Sequence, residues 1–161
     1  PHFQDVDLVI PVPLHWTRRR SRGYNQAEIL ARAIADAFAS GCACRPELLI
    51  RARRTRTQTR LSVEQKARNV ASAFLVPERF PFNFRLRKAV FPKQFQGVSL
   101  EPDSESPRAI LASARHILLV DDTFTTGATL YACYSALRPY TSARISVATL
   151  AAVEGTPSGG L

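Results

Sequence analysis

The sequence has no methionine, and only three cysteines, one tryptophan and 13 acidic residues among 161. Without a methionine Pro1 cannot be the translated start, so we expect the chain to be a processed product or a fragment with residues upstream. No apolar run approaches the roughly 18 residues of a membrane-spanning helix, so no membrane span and no membrane partner are predicted. The length favours a single domain, residues 1–161, with a sizeable core.

The cysteines Cys42, Cys44 and Cys133 are odd in number and contain no CxxC pair. A structural zinc site needs four ligands at defined spacing, which this set does not supply. We therefore predict free thiols in a reducing compartment, the cytoplasm.

Acidic residues are scarce relative to basic ones, and the imbalance is local. The net charge is +9, and residues 18–68 alone hold thirteen basic against four acidic side chains, which equals that excess. Such a concentration favours a polyanionic partner, either a nucleotide or nucleic acid. A solvated arginine-rich surface is the alternative interpretation.

Apolar runs alternate with helical patterns along most of the chain. Strands are predicted at 6–13, 47–51, 71–76, 116–120 and 144–150. Helices are predicted at 25–38, 62–70 and 127–138, and Asn25 with Glu28 has the spacing of a capping box. The pattern predicts an α/β fold, a mostly parallel five-stranded sheet with helices on both faces.

Residues 77–114 interrupt this alternation with five prolines, which predicts a long irregular insertion within the domain. Its stretch 79–88 alternates apolar and polar residues with the period of a strand. Interleaved basic and aromatic side chains there could bind single-stranded nucleic acid. One strand with a buried aromatic face is the alternative.

The stretch "ILLVDDTFTTGATL", 117–130, carries the chemistry. Ligands of open α/β sheets bind at the carboxyl ends of the strands, where Asp121 and Asp122 are predicted to lie. The helix start that follows offers backbone amides and threonine hydroxyls to a phosphate. The two carboxylates would instead face vicinal hydroxyls or a divalent cation, so a sugar phosphate is predicted as the ligand.

"VDDTFTTGATL" resembles the phosphoribosyl pyrophosphate (PRPP) motif of type I phosphoribosyltransferases. The resemblance implies that Asp121 and Asp122 hold the ribose hydroxyls, close to a Mg²⁺ bound through the ligand. It implies a 5′-phosphate site at Thr125, Thr126, Gly127, Ala128 and Thr129. Thr123 stands where that family usually has valine or isoleucine.

Two further stretches, "PVPLHWTRRRSRGYNQAEILARAIA" and "RARRTRTQTRLSVEQKARNVASAF", are similar to the ComF (competence protein F) family. Three separated motifs occur in the family's order, and the resemblance covers residues 6–76 and 116–150. The four-cysteine zinc ribbon that usually begins ComF proteins is absent and would lie upstream of Pro1. The insertion at 77–114 is also longer than the family's usual link.

The resemblance gives roles to two basic loops. The loop 14–22 is placed where the family binds pyrophosphate, which Arg18, Arg19, Arg20 and Arg22 could neutralise. The loop 51–60 corresponds to the mobile catalytic loop, with Arg53, Arg54 and Arg56 as candidate catalytic residues.

Two functions of different class remain open. The first is a Mg²⁺-dependent phosphoribosyltransferase whose acceptor the sequence does not identify. The second is a non-catalytic competence protein that uses the fold to bind single-stranded DNA, together with other proteins of the competence machinery. The ComF resemblance implies a link to DNA uptake in natural transformation.

Overall fold

The computed structural model describes residues 3–14, 23–38, 42–52, 73–80 and 106–153. Within these ranges the strands are β1 Leu8–Pro11, β2 Ala43–Cys44, β3 Ile50–Arg51, β4 Phe74–Leu75, β5 His116–Phe124 and β6 Arg144–Ala152. The α-helices are α1 Gln26–Ala37, α2 Pro107–Ser113 and α3 Ala128–Leu137. Short 3-10 turns, Pro46–Leu48 and Arg138–Tyr140, precede β3 and follow α3.

The main sheet has the strand order β2-β1-β5-β6, and each neighbouring pair is parallel. The α/β class and the mostly parallel sheet are therefore confirmed. The strand count differs from the prediction of five, because the described residues form a four-stranded sheet. The predicted strands at 47–51 and 71–76 contribute β3 and β4, which form a separate antiparallel pair. The edge strand of the sheet beside β1 is β2, which was not predicted because its two residues are too few to show a periodicity.

Each face of the sheet is covered by its own apolar cluster. Successive residues of a strand point to opposite faces, so Leu8 and Ile10 join one cluster while Val9 joins the other. Helices α2 and α3 and the β3–β4 pair cover the first face, and α1 covers the second. Burial on both faces explains why the strand sequences are continuous apolar runs rather than alternating ones.

Helix α1 lies against the sheet through its alanines. Ala27, Ala31 and Ala35 are buried, whereas Leu30 and Ile34 are partly buried beside them. Small side chains at the contact let the helix backbone approach the strands, and the larger apolar residues then fill the flanks of the interface. The predicted helix is confirmed, but its leucine and isoleucine repeat marks the edge of the buried stripe.

The end of the predicted insertion 77–114 is regular structure. Ser106 caps α2, since its hydroxyl oxygen accepts a hydrogen bond from the amide of Ala109 at 3.2 Å, and Pro107 opens the helix. Ile110 and Leu111 are buried in the core. Residues 81–105 lie outside the described residues, as do those of the predicted helix 62–70, so those interpretations stay predictions.

Cys42, Cys44 and Cys133 are free thiols, as predicted. Burial raises the pKa of the Cys42 thiol to about 11, so it stays protonated at neutral pH. No helix among the described residues combines the length and the apolar character that crossing a membrane requires.

Candidate functional site

The site is built around the carboxyl half of β5. Strand β1 ends where Pro11 pairs with Val120, but β5 continues beside β6 through Phe124. Asp121 and Asp122 therefore lie within β5 rather than after it, at the level where its neighbour β1 has stopped. The prediction that they reach the carboxyl edge of the sheet is confirmed for the β1–β5 pair, whose strand pairing ends at Val120.

The two carboxylates are half-buried. The pKa of Asp121 is raised to about 6, chiefly by burial and also by the neighbouring Asp122 carboxylate, against a hydrogen bond from the Asp122 amide. That amide donates to Oδ1 of Asp121 over 2.9 Å. A carboxylate in this setting gains from a ligand that donates hydrogen bonds or brings positive charge, because either would offset the cost of its burial.

The turn after β5 ends at a glycine that the backbone requires. Gly127 has φ +73°, in the left-handed region, and a Cβ atom there would lie 3.3 Å from Cε2 of Phe124. Gly127 is also the N-cap of α3, and it has no side chain with which to cap the first amides of the helix. Gly127 thus supplies no side-chain cap, and amides of the first turn of α3 beyond that of Ala128 can face an anion.

Threonine hydroxyls surround this helix start. Thr125 and Thr126 are exposed, and Thr129 is half-buried in the first turn of α3. The hydroxyl oxygen of Thr126 accepts a long hydrogen bond, 3.5 Å, from the amide of Ala128, which leaves its O–H able to donate. The structure therefore joins the predicted acids and the predicted phosphate turn through one strand-turn-helix unit.

The "RGYNQ" motif acts as an anchor at the same edge of the sheet. The side-chain amide of Asn25 is buried and donates to the carbonyl of Val12 at 3.0 Å, and the amide of Val12 donates to the carbonyl of Val120 at 2.8 Å. The predicted capping box is wrong in this respect, because the Asn25 side chain makes no capping hydrogen bond to α1. It instead fastens the start of α1 beside the residue that precedes Asp121.

Arg51 is a basic residue near the site that the sequence reasoning did not single out. Its guanidinium lies over the Phe74 ring, 5.2 Å from the centroid, where β3 pairs with β4. From there its charge lowers the pKa of Asp121, opposing the effect of burial. In the sequence, only its place at the start of the basic loop 51–60 indicated that Arg51 could lie near the site.

The remaining predicted site residues lie outside the described residues. They are Arg18, Arg19, Arg20 and Arg22 of the pyrophosphate loop and Arg53, Arg54 and Arg56 of the catalytic loop. Their roles stay predictions.

The described residues contain no group of three or more histidine, cysteine, aspartate or glutamate side chains that could hold a metal ion. Two adjacent carboxylates fit a hydrated Mg²⁺ that arrives with a phosphorylated ligand better than a resident ion, which takes more oxygen ligands. The donor set therefore suits a cation brought by the ligand.

Comparison with known proteins gives relatives in bacteria. The chain is 32% identical over 129 residues to the DNA utilization protein YhgH of Salmonella typhimurium, which covers 80% of this chain and 41% of the relative. It is 31% identical over 128 residues to the protein of that name in Escherichia coli O157:H7, with the same coverage.

The chain is also 28% identical over 124 residues to competence protein F of Haemophilus influenzae, covering 77% of this chain and 41% of the relative. It thus spans about two fifths of the length of the curated relatives it matches. No family model and no solved structure matches the chain.

Proposed function

Because the chain belongs to the competence protein F (ComF) family, we propose that residues 121–129 bind the phosphoribosyl part of PRPP. The observation that carries the proposal is the strand-turn-helix unit itself. Half-buried Asp121 and Asp122 stand immediately before a glycine-capped helix start that has threonine hydroxyls around it.

The ligand's groups match the two ends of this unit. The ribose 2- and 3-hydroxyls can donate hydrogen bonds to Asp121 and Asp122, which act purely as acceptors once they are ionised. The 5′-phosphate fits the amides of the first turn of α3 and the hydroxyls of Thr126 and Thr129. A phosphate without the sugar would bind only the turn, and a sugar without the phosphate would bind only the two carboxylates.

The proposal includes a magnesium ion that binds together with the ligand. Held near Asp121 and Asp122, it would supply charge stabilisation for the leaving group. The negative charge of the two carboxylates favours the less negative magnesium complex over free PRPP.

In the catalytic form of the proposal the protein is a phosphoribosyltransferase. The bond between ribose C1 and the pyrophosphate oxygen breaks, pyrophosphate leaves with the electron pair, and a nucleophilic atom of the acceptor bonds to C1. The predicted roles of the arginines at 18–22 and 53–56 are to neutralise the pyrophosphate and to close over the site. The acceptor is the part of this reaction that the proposal does not name.

Calorimetric titration with PRPP and Mg²⁺ tests the proposal. Wild-type protein should release or absorb heat with one-to-one stoichiometry, and Asp121→Asn combined with Asp122→Asn should abolish binding while the circular dichroism spectrum is unchanged. Asp36→Asn is a matched control, because Asp36 is an exposed carboxylate on α1 at the opposite face of the sheet. Wild-type affinity in the double variant would refute the assignment.

A second candidate function is the handling of single-stranded DNA. Two observations favour it: relatives are named for competence and for DNA utilization, and residues 18–68 contain the whole net charge of the chain. In this form the protein links PRPP binding to DNA uptake and need not catalyse a transfer. Binding should be electrostatic, with log affinity falling against log salt by roughly 0.7 per phosphate contact.

Replacing Arg18, Arg19 and Arg20 with alanine should weaken the binding of all single-stranded sequences alike and make the salt dependence shallower. Saturating PRPP should displace part of the DNA, since both anions are assigned to one loop. If DNA affinity responds to neither salt nor PRPP, the DNA-binding proposal fails and only the transferase proposal remains.

A further inference from the structure

Two tyrosines stand exposed on the outer face of α3. Tyr131 is 60% exposed and Tyr134 is 39% exposed, although large aromatic side chains usually bury most of their surface. Being three residues apart, they lie on one face of the helix. Their ring centroids are 6.3 Å apart with the planes inclined by 26°, so the two rings form a stacked pair.

The pair is close to the helix start assigned to phosphate. The amide of Tyr131 donates to the carbonyl of Gly127 at 2.9 Å, which places the first ring one turn from that glycine. On the other side of Gly127 lies the ring of Phe124, itself 36% exposed. Phe124 and Tyr131 thus lie beside the first turn of α3, and Tyr134 follows in the second turn.

The charge around these rings suits a polyanion. From Thr123 to Val153 the sequence contains no aspartate and no glutamate, so the acids nearest to α3 along the chain are Asp121 and Asp122. Of the two arginines in that span, Arg144 is bonded to Asp5, whereas Arg138 follows α3. Arg138 is exposed one turn beyond Tyr134, and its guanidinium donates to the carbonyl of Ala143 at 2.9 Å, which fixes its position. The outer face of α3 therefore runs from amide donors through two rings to a cation.

We propose that Tyr131 and Tyr134 form a stacking surface for unpaired bases of a single-stranded nucleic acid. Every base has a planar face that stacks on an aromatic ring, so such a surface binds without regard to sequence. The bases would lie against the rings while the phosphates follow the helix start and Arg138. The inference rests on the second candidate function and adds to it a base-dependent component on α3, separate from the arginines at 18–68.

The test compares two probes of equal length, a fluorescent oligothymidylate and an abasic oligonucleotide with the same phosphates and no bases. Tyr131→Ala combined with Tyr134→Ala should weaken oligothymidylate binding about tenfold or more, on the order expected for losing stacked bases. Binding of the abasic oligonucleotide should be unchanged in the same variant. Tyr131→Phe with Tyr134→Phe keeps the rings and should keep the affinity, and Ile29→Ala controls for an exposed apolar side chain elsewhere.

A second variant reports on the surface directly. Tyr131→Trp in a Trp16→Phe background places the chain's only tryptophan on α3. Its fluorescence should be quenched by oligothymidylate and unaffected by the abasic probe.

Three results would overturn the inference. Equal loss of both probes in the alanine variant would show that the tyrosines support phosphate contacts alone. Unchanged oligothymidylate binding in the alanine variant would show that the tyrosines contact no base. Slower sedimentation of the alanine variant than of the wild type would show that α3 is instead an interface with another copy of the chain. If wild-type protein binds neither probe, the second candidate function fails as well, whereas PRPP binding at Asp121 is unaffected.

Discussion

The two ends of β5 use charged and polar side chains in opposite ways. At its amino end His116 is 1% exposed, and its ring nitrogens lie 2.9 Å from Oδ1 of Asp5 and 2.9 Å from Oγ of Ser146. Arg144 binds both oxygens of Asp5, at 2.6 and 2.7 Å. At the carboxyl end Asp121 and Asp122 are half-buried beside exposed threonines.

The pKa shifts of the two acids show the same contrast. The hydrogen bond from His116 and the charge of Arg144 lower the pKa of Asp5, whereas burial raises that of Asp121 to about 6. A carboxylate with a lowered pKa is stabilised by the protein around it, and one with a raised pKa is stabilised best by something else. The amino end fastens the sheet, and the carboxyl end is where we propose that the ligand binds.

The largest effect on stability should come from the amino end. His116→Ala removes a fully buried ring with polar contacts on both sides, and about 2–4 kcal/mol of unfolding free energy should be lost. Urea denaturation measures this, with Arg115→Ala as the control, since that side chain is 85% exposed. If the His116→Ala protein remains folded, its PRPP affinity should be unchanged. A loss of PRPP affinity in the folded variant would contradict the separate roles of the two ends of β5.

Gly127→Ala should act on the site more than on the fold. A side chain in the left-handed region costs about 1–2 kcal/mol, and its Cβ would press on the Phe124 ring. The expected result is a modest loss of stability and a loss of PRPP affinity of about tenfold, measured by denaturation and calorimetry on one sample. A stability loss without an affinity loss would show that the turn does not contact phosphate.

Asp121→Asn should raise stability above pH 6, the reverse of the His116 effect. Because the folded state binds the Asp121 proton more tightly than the unfolded state, the wild type loses stability as pH rises from about 4 to about 6. The asparagine variant avoids that loss, a gain of about 1–2 kcal/mol at neutral pH. Thermal unfolding at pH 4 and pH 7 measures it, and equal stability at both values in the wild type would contradict the raised pKa.

Affinity for PRPP should have the matching pH dependence. Protonated Asp121 cannot accept from the ribose hydroxyl in the same way, so wild-type affinity should fall as pH decreases through about 6. The phosphate groups of the ligand titrate in this range too, and the Asp121→Asn variant with Asp122 intact isolates their contribution. Identical pH profiles in the two proteins would remove Asp121 from the site.

The smallest change should follow from Arg51→Gln. Its charge lowers the pKa of Asp121, so without it the midpoint of the affinity profile should move to higher pH. Arg51→Lys should preserve the midpoint. A midpoint that does not move in the glutamine variant would show that Arg51 does not influence the protonation of Asp121.

The strand-turn-helix unit of β5 and α3 could be predicted further from the sequence than the pairing of the strands could. The acids, the glycine and the threonines are contiguous, so local chemistry placed them in one strand-turn-helix unit without knowledge of the rest of the fold. The pairing of β3 with β4 depends on contacts between residues over twenty positions apart, and no local pattern distinguishes it from membership of the parallel sheet. Strand β2 has two residues, which no periodicity can reveal.

The role of Asn25 was missed for a related reason. Its spacing to Glu28 fits a capping box, but the buried carbonyl of Val12 requires a donor and takes the side-chain amide instead. A tertiary hydrogen bond thus replaced the local one that the sequence suggested.

Amide chemical-shift mapping during titration with PRPP and Mg²⁺ tests the central claim most directly, because it observes both ends of β5 in one spectrum. The amides from Asp121 to Leu130 should shift to saturation at one equivalent, and those of His116 and Arg144 should not move. The double variant Asp121→Asn, Asp122→Asn should show neither change. Shifts confined to residues outside 121–130, or an unaltered response in the double variant, would contradict the account.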